Sequence, residues 1–334
     1  MNNQIPKIVV ITPVKNEAWI LERFLSVTSQ FADHIIIANQ NSTDDTISIC
    51  KKYPKAILIE NKSEKYSEAD RQLLLIQTAR ELIQEQKIIL ALDADEILAA
   101  NAIKTPSWQT MLNAKPGTVI FFEKPDLYLT TKQCIRSGIL TPLGYVDDGA
   151  EHQPQLIHSV RIPMPEYATR LHIHDIKVLH YALARMDAQA SKVRLYGVIE
   201  NILGISNAIS RRYRYSASQD YLKLGKLETT PDEWYIGWEE MGIDMHAINK
   251  QKYYSYDFEM LQYFHKYGLR RFWREDIWRF DWEACRQYAK SLGMSNIPDY
   301  PITKPPKFLG FFLDIIAKLY KNLTSWLRYV SNLL

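Results

Sequence analysis

Two aspartates separated by one residue, Asp93-Ala94-Asp95, stand directly after a short run of large apolar residues, Ile88–Leu92. Carboxylates placed this way beyond a buried strand can converge on one divalent cation. Mg2+ or Mn2+ held by one or two carboxylates completes its shell with water and substrate phosphates. Such a cation would neutralise charge on a departing diphosphate. The competing reading is that the acids cap a following helix, with Glu96 favoured by its dipole. Two more polar clusters occupy the same kind of position. Thr12-Pro13-Val14-Lys15-Asn16-Glu17 closes one apolar run, and Asn39-Gln40-Asn41-Ser42-Thr43-Asp44-Asp45-Thr46 follows another. Neither a Gly-rich dinucleotide fingerprint nor a phosphate loop with Lys-Ser/Thr is present, which disfavours nicotinamide dehydrogenases and P-loop nucleotidases.

These clusters need a scaffold that brings them to one edge. Ile8–Thr12, His34–Ala38, Ala56–Glu60 and Ile88–Leu92 are continuous apolar runs rich in Ile and Val, the pattern of strands buried on both faces. Between them, Trp19, Ile20, Phe24, Leu25 and Val27 have helical spacing, as do Ile47 and Ile49, and Leu73, Leu74, Ile76, Ala79, Leu82 and Ile83. Ser42 followed by Asp45 resembles a capping pattern for the second helix. The alternation predicts a doubly wound, mostly parallel α/β sheet with helices on both faces. Ligands of such sheets bind beyond the carboxyl ends of the strands, where all three clusters fall.

From about 116 to 181, shorter runs (Thr118–Phe122, Ile139–Leu143, Gln155–Ile157, Val178–His180) predict added strands on an acceptor side. Residues 182–297 read as a helical, aromatic-rich region, and Pro298, Pro301, Pro305 and Pro306 break the chain before an amphipathic tail. The expected organisation is an α/β domain over 1–181 carrying the three clusters, a helical region over 182–297 and a tail over 298–334. The 334 residues are 46% hydrophobic and 24% charged, with a net charge of +3 and no long basic run, so nucleic acid is not an expected partner. Cys50, Cys134 and Cys285 lie far apart and fit a reduced compartment. The first apolar run is too short for a signal peptide, and no stretch approaches the ~20 residues of a membrane span, so a cytoplasmic location is expected.

The three polar clusters, in this order, resemble the signature of family 2 glycosyltransferases over roughly Lys7 to Leu98, with Leu179-His180-Tyr181 similar to a later pattern of that family. The resemblance implies a GT-A fold and an inverting, hexosyltransferase-type transfer of sugar from a nucleotide-diphosphate donor to an acceptor hydroxyl, as in cell-surface glycan or glycolipid synthesis. It implies that Thr12, Pro13 and Glu17 line the nucleoside pocket. Asn39 stands where the family usually has an Asp contacting base or ribose. Asp44 and Asp45 match family positions, although acids in a first helical turn are also stabilised by the dipole. Arg71 lies where a cationic nucleotide contact is often found. Asp93, with Ala94, sits near the ribose or bridges to the cation, Asp95 is the principal ligand of Mg2+ or Mn2+, and His180 is a candidate third ligand, since neutral imidazole binds divalent cations.

Inverting transfer also needs a base for the acceptor hydroxyl. Asp147-Asp148-Gly149-Ala150-Glu151-His152 falls in the half expected to face the acceptor, and clustered acids raise one another's pKa. Asp148, then Glu151, are the candidates, against the alternative of a solvated acidic turn. His172, His174 and Asp175 form another polar cluster, with both His on one strand face. Trp234, Tyr235, Trp238, Trp273, Trp278 and Trp282 either offer stacking faces to a sugar acceptor or pack a core. In 307–334 a broad apolar band is interrupted by Lys307, Lys318, Lys321 and Arg328, with Asp314 the one acid. Such a helix lies on a membrane interface, with a lipid-linked sugar acceptor at the inner face, or folds back, or forms a dimer contact. Two other functions stay open. A sugar-phosphate nucleotidyltransferase would carry a Gly-bearing basic loop after the first strand, which Thr12–Glu17 lacks; a catalytically silent nucleotide-sugar-binding assembly partner would bind without turnover.

Overall fold

The computed structural model describes residues 5–62, 67–155, 159–215 and 220–331, with side chains described as far as residue 320. The strands are β1 (Lys7–Val14), β2 (His34–Asn39), β3 (Ala56–Glu60), β4 (Lys87–Ala91), β5 (Glu96–Leu98), β6 (Thr118–Glu123), β7 (Asp126–Leu127), β8 (Gln133–Arg136), β9 (Leu140–Val146), β10 (Thr169–His180) and β11 (Lys226–Thr229). The α-helices are α1 (Ala18–Thr28), α2 (Thr46–Cys50), α3 (Glu68–Leu82), α4 (Pro106–Leu112), α5 (Met186–Leu203), α6 (Ala208–Arg214), α7 (Ile236–Glu239), α8 (Ser255–Tyr267), α9 (Trp282–Ser291) and α10 (Lys307–Ser331). Of the expected strand at 155–157, residues 156 and 157 lie outside the described residues.

The strands form one mixed sheet in the order β11-β8-β7-β10-β6-β9-β4-β1-β2-β3, with β5 paired to β10. The block β3-β2-β1-β4 is parallel, as the Ile/Val runs predict. Alternate residues of each run serve opposite layers. Ile8, Val10, Ile35, Ile37, Ile88 and Leu90 share one core with α1, whereas Val9, Ile11, Ile36, Ala38, Ile89 and Ala91 share the other with α3. Burial on both faces explains why these strands lack a polar alternation, and each such Ile or Val contributes about 1.5–3 kcal/mol. β9 inserts antiparallel between β4 and β6, and β10 then runs parallel to β6. The carboxyl ends of β4 and β10 therefore lie at the same edge.

The chain divides into two units, Met1–Ala184 with Leu222–Asn249, and Arg185–Tyr221 with Lys250–Leu334. The segment 222–249, expected within the helical region, thus belongs to the sheet unit. Trp234, Tyr235 and Trp238 are buried in that unit's core, and Trp238 Nε1 donates to the Leu98 carbonyl at 2.8 Å. Core packing is the role of these three, not sugar stacking. In the second unit Trp282 is fully buried against Phe264 and Phe280, while Trp273 and Trp278 are half-buried. The three cysteines are buried and free. No helix among the described residues is long and apolar enough to cross a membrane.

Candidate active site

The turns after β1 and β2 are tied together by side chains reaching across to backbone N–H groups. Asn16 adopts a left-handed conformation (φ 58°), as does Asn41 (φ 51°), a region Asn tolerates better than most residues. Asn16 Oδ1 accepts from Thr43 N at 2.7 Å, and Asn16 N donates to Ser42 Oγ at 3.0 Å. Glu17 N donates to Thr46 Oγ1 at 2.9 Å. Asp44 accepts from Ala18 N at 3.1 Å and Thr46 N at 3.0 Å, so one carboxylate serves the N-termini of both α1 and α2. The expected Ser42/Asp45 cap is therefore corrected: Asp45 occupies the cap position of α2 without a side-chain bond, and Ser42 serves Asn16.

The nucleoside-side residues of the sequence reading gather at this edge. Thr12 is fully buried, and its hydroxyl has no hydrogen-bond partner among the described residues. Pro13 pairs with Ala38 one residue before Asn39. Glu17 Oε2 accepts from Trp19 Nε1 at 2.7 Å. Asn39 is buried and has two partners: its amide donates to Glu60 Oε2 at 3.1 Å, and its carbonyl oxygen accepts from Ser42 N at 3.2 Å. Arg71 lies in the first turn of α3, behind the cap that Ser67 makes to Asp70 N at 3.1 Å.

Beyond β4, the chain turns through Asp93-Ala94-Asp95 into β5, a strand and not a helix, so the helix-capping alternative for these acids does not hold. β5 pairs antiparallel with β10 so that Glu96 faces His180, and β7 sets Asp126 beside the same histidine. The backbone continues the pairing: Tyr181 N donates to Asp95 O at 2.8 Å. The result is a row of side chains. His180 Nδ1 lies 2.5 Å from Asp126 Oδ1, and Nε2 lies 3.7 Å from Asp95 Oδ2. An Nδ1–H donating to Asp126 leaves Nε2 on the side of Asp95.

Asp93 goes elsewhere. Its carboxylate, 42% exposed, takes an ion pair from Arg161 Nη1 at 3.0 Å. Arg161 also grips the buried Glu96 with two bonds, at 2.8 and 2.9 Å, and Lys124 Nζ donates to Glu96 at 2.9 Å. Burial would raise the Glu96 carboxyl, but Arg161 and Lys124 outweigh it and hold the group well below the usual carboxylate range. Burial likewise opposes charge on Lys124, and Glu96 reverses the balance and raises its pKa.

A divalent cation fits this row in part. Among the described residues no group of three or more His, Cys, Asp or Glu side chains could hold a metal. Asp95 and His180 offer two donors, with His180 backed by a carboxylate in the manner of metal-binding histidines. That is enough for Mg2+ or Mn2+ when phosphates and water fill the remaining positions. Asp93 pairs with Arg161 through Oδ1, so it does not join Asp95 and His180 as closely as spacing alone suggests.

Asp148 is not brought to this edge. Val146 pairs with Ile88 and Asp147 N donates to Lys87 O, so the acidic turn begins at the amino end of β4. Asp147 is bound by Arg80 at 2.8 Å, and Asp148 accepts from Tyr145 and, at 3.0 Å, from Tyr167. Burial raises the Asp148 carboxyl less than these hydroxyls and the Ala150 N–H lower it, so its pKa is lowered, opposite to the expected rise. Asp148 is not placed to deprotonate an acceptor beside Asp95; beyond it the chain runs back along α3, where His152 lies 2.9 Å from Gln72 Oε1, and Glu151 is exposed. His172 and His174 are exposed mid-strand on β10, His172 edge-on to Phe121, with no metal group among the described residues there. Arg161, Lys124 and Asp126 were not legible from sequence; Asp126, two residues beyond Lys124 at a strand end, carried the one faint signal.

Residues 9–105 match the family described as glycosyl transferase family 2. That segment is a family 2 glycosyl transferase domain, and it holds both turns and the Asp93–Glu96 cluster. No curated protein matches the chain in sequence. Among solved structures, 4-diphosphocytidyl-2C-methyl-D-erythritol synthase aligns at 16% identity and a TM-score of 0.34, covering 51% of this chain and 89% of that one. Glucosyl-3-phosphoglycerate synthase from Mycobacterium tuberculosis, with phosphoglyceric acid, aligns at 18% identity and a TM-score of 0.27, covering 36% of this chain and 44% of that one. The same enzyme with Mn2+, uridine-diphosphate and glucosyl-3-phosphoglycerate aligns at 17% identity and a TM-score of 0.25, with coverage of 36% and 44%. The match thus spans less than half the length of that synthase.

Proposed function

We propose that the chain transfers a hexosyl group from a nucleotide-diphosphate donor to a sugar or lipid-linked sugar hydroxyl, with inversion at the anomeric carbon. The observation that carries this reading is the Asp126–His180–Asp95 row at the carboxyl edge of β4, beside turns that belong to a family 2 domain. Asp95 and His180 would hold Mg2+ or Mn2+, which when bound supplies positive charge to a leaving diphosphate. Asp126 keeps the imidazole in the tautomer that presents Nε2. Arg161 aims the exposed Asp93 carboxylate, leaving its second oxygen for a ribose hydroxyl, while Thr12, Pro13, Glu17, Asn39, Arg71 and Ala94 line the nucleoside side.

The test is release of nucleoside diphosphate from a panel of sugar donors with Mn2+ present or chelated. Wild type is expected to release it only with the cation, and Asp95→Ala is expected to abolish release while keeping its thermal transition. Full release by Asp95→Ala removes the metal assignment. Release of pyrophosphate would instead identify a nucleotidyltransferase, and donor binding without any release an assembly partner.

A further inference from the structure

The long helix α10 packs within the second unit by one face only. Leu313 and Ala317 are buried, and Asp314 is bound by Arg212 of α6 at 2.8 Å and by Arg279 at 3.3 Å. Arg212 Nη2 also reaches the Gly310 carbonyl at 3.4 Å. The opposite face carries Phe308, Phe311, Phe312, Ile315 and Leu319, spaced at three and four residues, with exposures of 74, 71, 59, 41 and 62%. A helix whose function was only to fold back would not leave five large side chains of one stripe in water.

The charges around this stripe have one sign. Lys307 and Lys318 are exposed beside it, and the helix's one acid, Asp314, is turned inward and neutralised. Where the chain enters α10, a cavity of about 570 Å3 is lined by Tyr267, Arg270, Trp273, Tyr300, Lys304 and Pro306. The Arg270 guanidinium lies over the Trp273 ring at 5.6 Å, and neither Arg270 nor Lys304 has a carboxylate partner among the described residues. The nearby Asp299 is 3.8 Å from Lys290. Apolar stripe, interfacial aromatics and unpaired cations together match a bilayer with anionic headgroups. Two copies pairing through this face would instead set their Lys307 and Lys318 side chains against like charge.

We propose that the outward face of α10 docks on an anionic lipid surface, with Phe308, Phe311 and Phe312 entering the acyl boundary and the Arg270/Lys304 cavity taking lipid phosphate. This needs no donor or cation and stands apart from the sugar-transfer reading. The experiment is flotation of the full chain with vesicles of phosphatidylcholine alone or mixed equally with phosphatidylglycerol, alongside sedimentation velocity without lipid. Wild type is expected to float with mixed vesicles and not with phosphatidylcholine, and to lose binding as salt rises. Lys307→Glu/Lys318→Glu is expected to weaken partition at least about 25-fold, at about fivefold per cation. Phe308→Ser/Phe311→Ser/Phe312→Ser, all at exposed positions, is expected to abolish flotation with an unchanged thermal transition. Wild type that stays down with mixed vesicles, or a triple variant that floats equally, overturns the proposal. So does a lipid-free dimer that the triple variant converts to monomer without any vesicle binding, which would assign the face to a second copy.

Discussion

Replacing Arg161 with Met should destabilise the sheet unit in a pH-dependent way. Glu96 is 1% exposed and in the native chain receives two bonds from Arg161 and one from Lys124. Removing one partner of a buried ion pair costs about 3–5 kcal/mol; Lys124 remains, so the lower end, about 3 kcal/mol, is expected. The sign with pH follows from Glu96. Burial favours its neutral form, Arg161 and Lys124 outweigh burial, and its folded pKa lies well below the unfolded value. Its ionised form therefore stabilises the fold above the unfolded value of about 4.3, and that stabilisation is lost as pH falls toward the folded value. In Arg161→Met the folded pKa rises toward the unfolded one and this contribution shrinks. Urea unfolding of both proteins from pH 7 to pH 3 should show a gap that is widest above about pH 5 and narrows below it. A gap under about 1 kcal/mol at neutral pH, or one that stays constant into acid, refutes the reasoning.

Two further outcomes follow from the site. Asp44→Ala removes the acceptor shared by Ala18 N and Thr46 N and should cost about 1–2 kcal/mol in urea unfolding; Asp44→Asn, keeping one acceptor, should recover part of it, and equal loss in both would contradict the shared-cap geometry. Asp126→Asn should raise the Mn2+ concentration needed for half-maximal nucleoside diphosphate release by about 10–100-fold with little change in stability, and an unchanged Mn2+ dependence would remove Asp126 from its orienting role.

The parallel block was legible because strands buried on both faces leave unbroken Ile/Val runs, and the polar residues after them had to share an edge. His180 was legible as a strand-end histidine. Its neighbours were not, because Asp126 reaches the site through β7–β10 pairing and Arg161 and Lys124 reach it from loops, and no local pattern records which distant segments will meet. The misplacement of Asp148 has the same origin. An apolar run gives a strand but not its direction, and β9 runs opposite to β4, which sends the turn after it to the wrong edge for chemistry. Helical spacing of Trp234 and Trp238 fits a core more often than a sugar, and the return of 222–249 to the sheet unit decided for the core.

The last three residues of β10 have an outsized bearing on how the protein comes into being. A shift of one residue against β5 would turn His180 to the opposite face of its strand and carry its imidazole away from Asp95. During synthesis the acidic loop after β4 is complete long before its histidine leaves the ribosome, so a nascent chain would hold Asp95 without the imidazole that the finished sheet sets beside it. Hydrogen-exchange protection of the Tyr181 amide, which bonds Asp95 O, should then serve as a clock for the latest sheet contact to lock, more informative than the regain of helical signal.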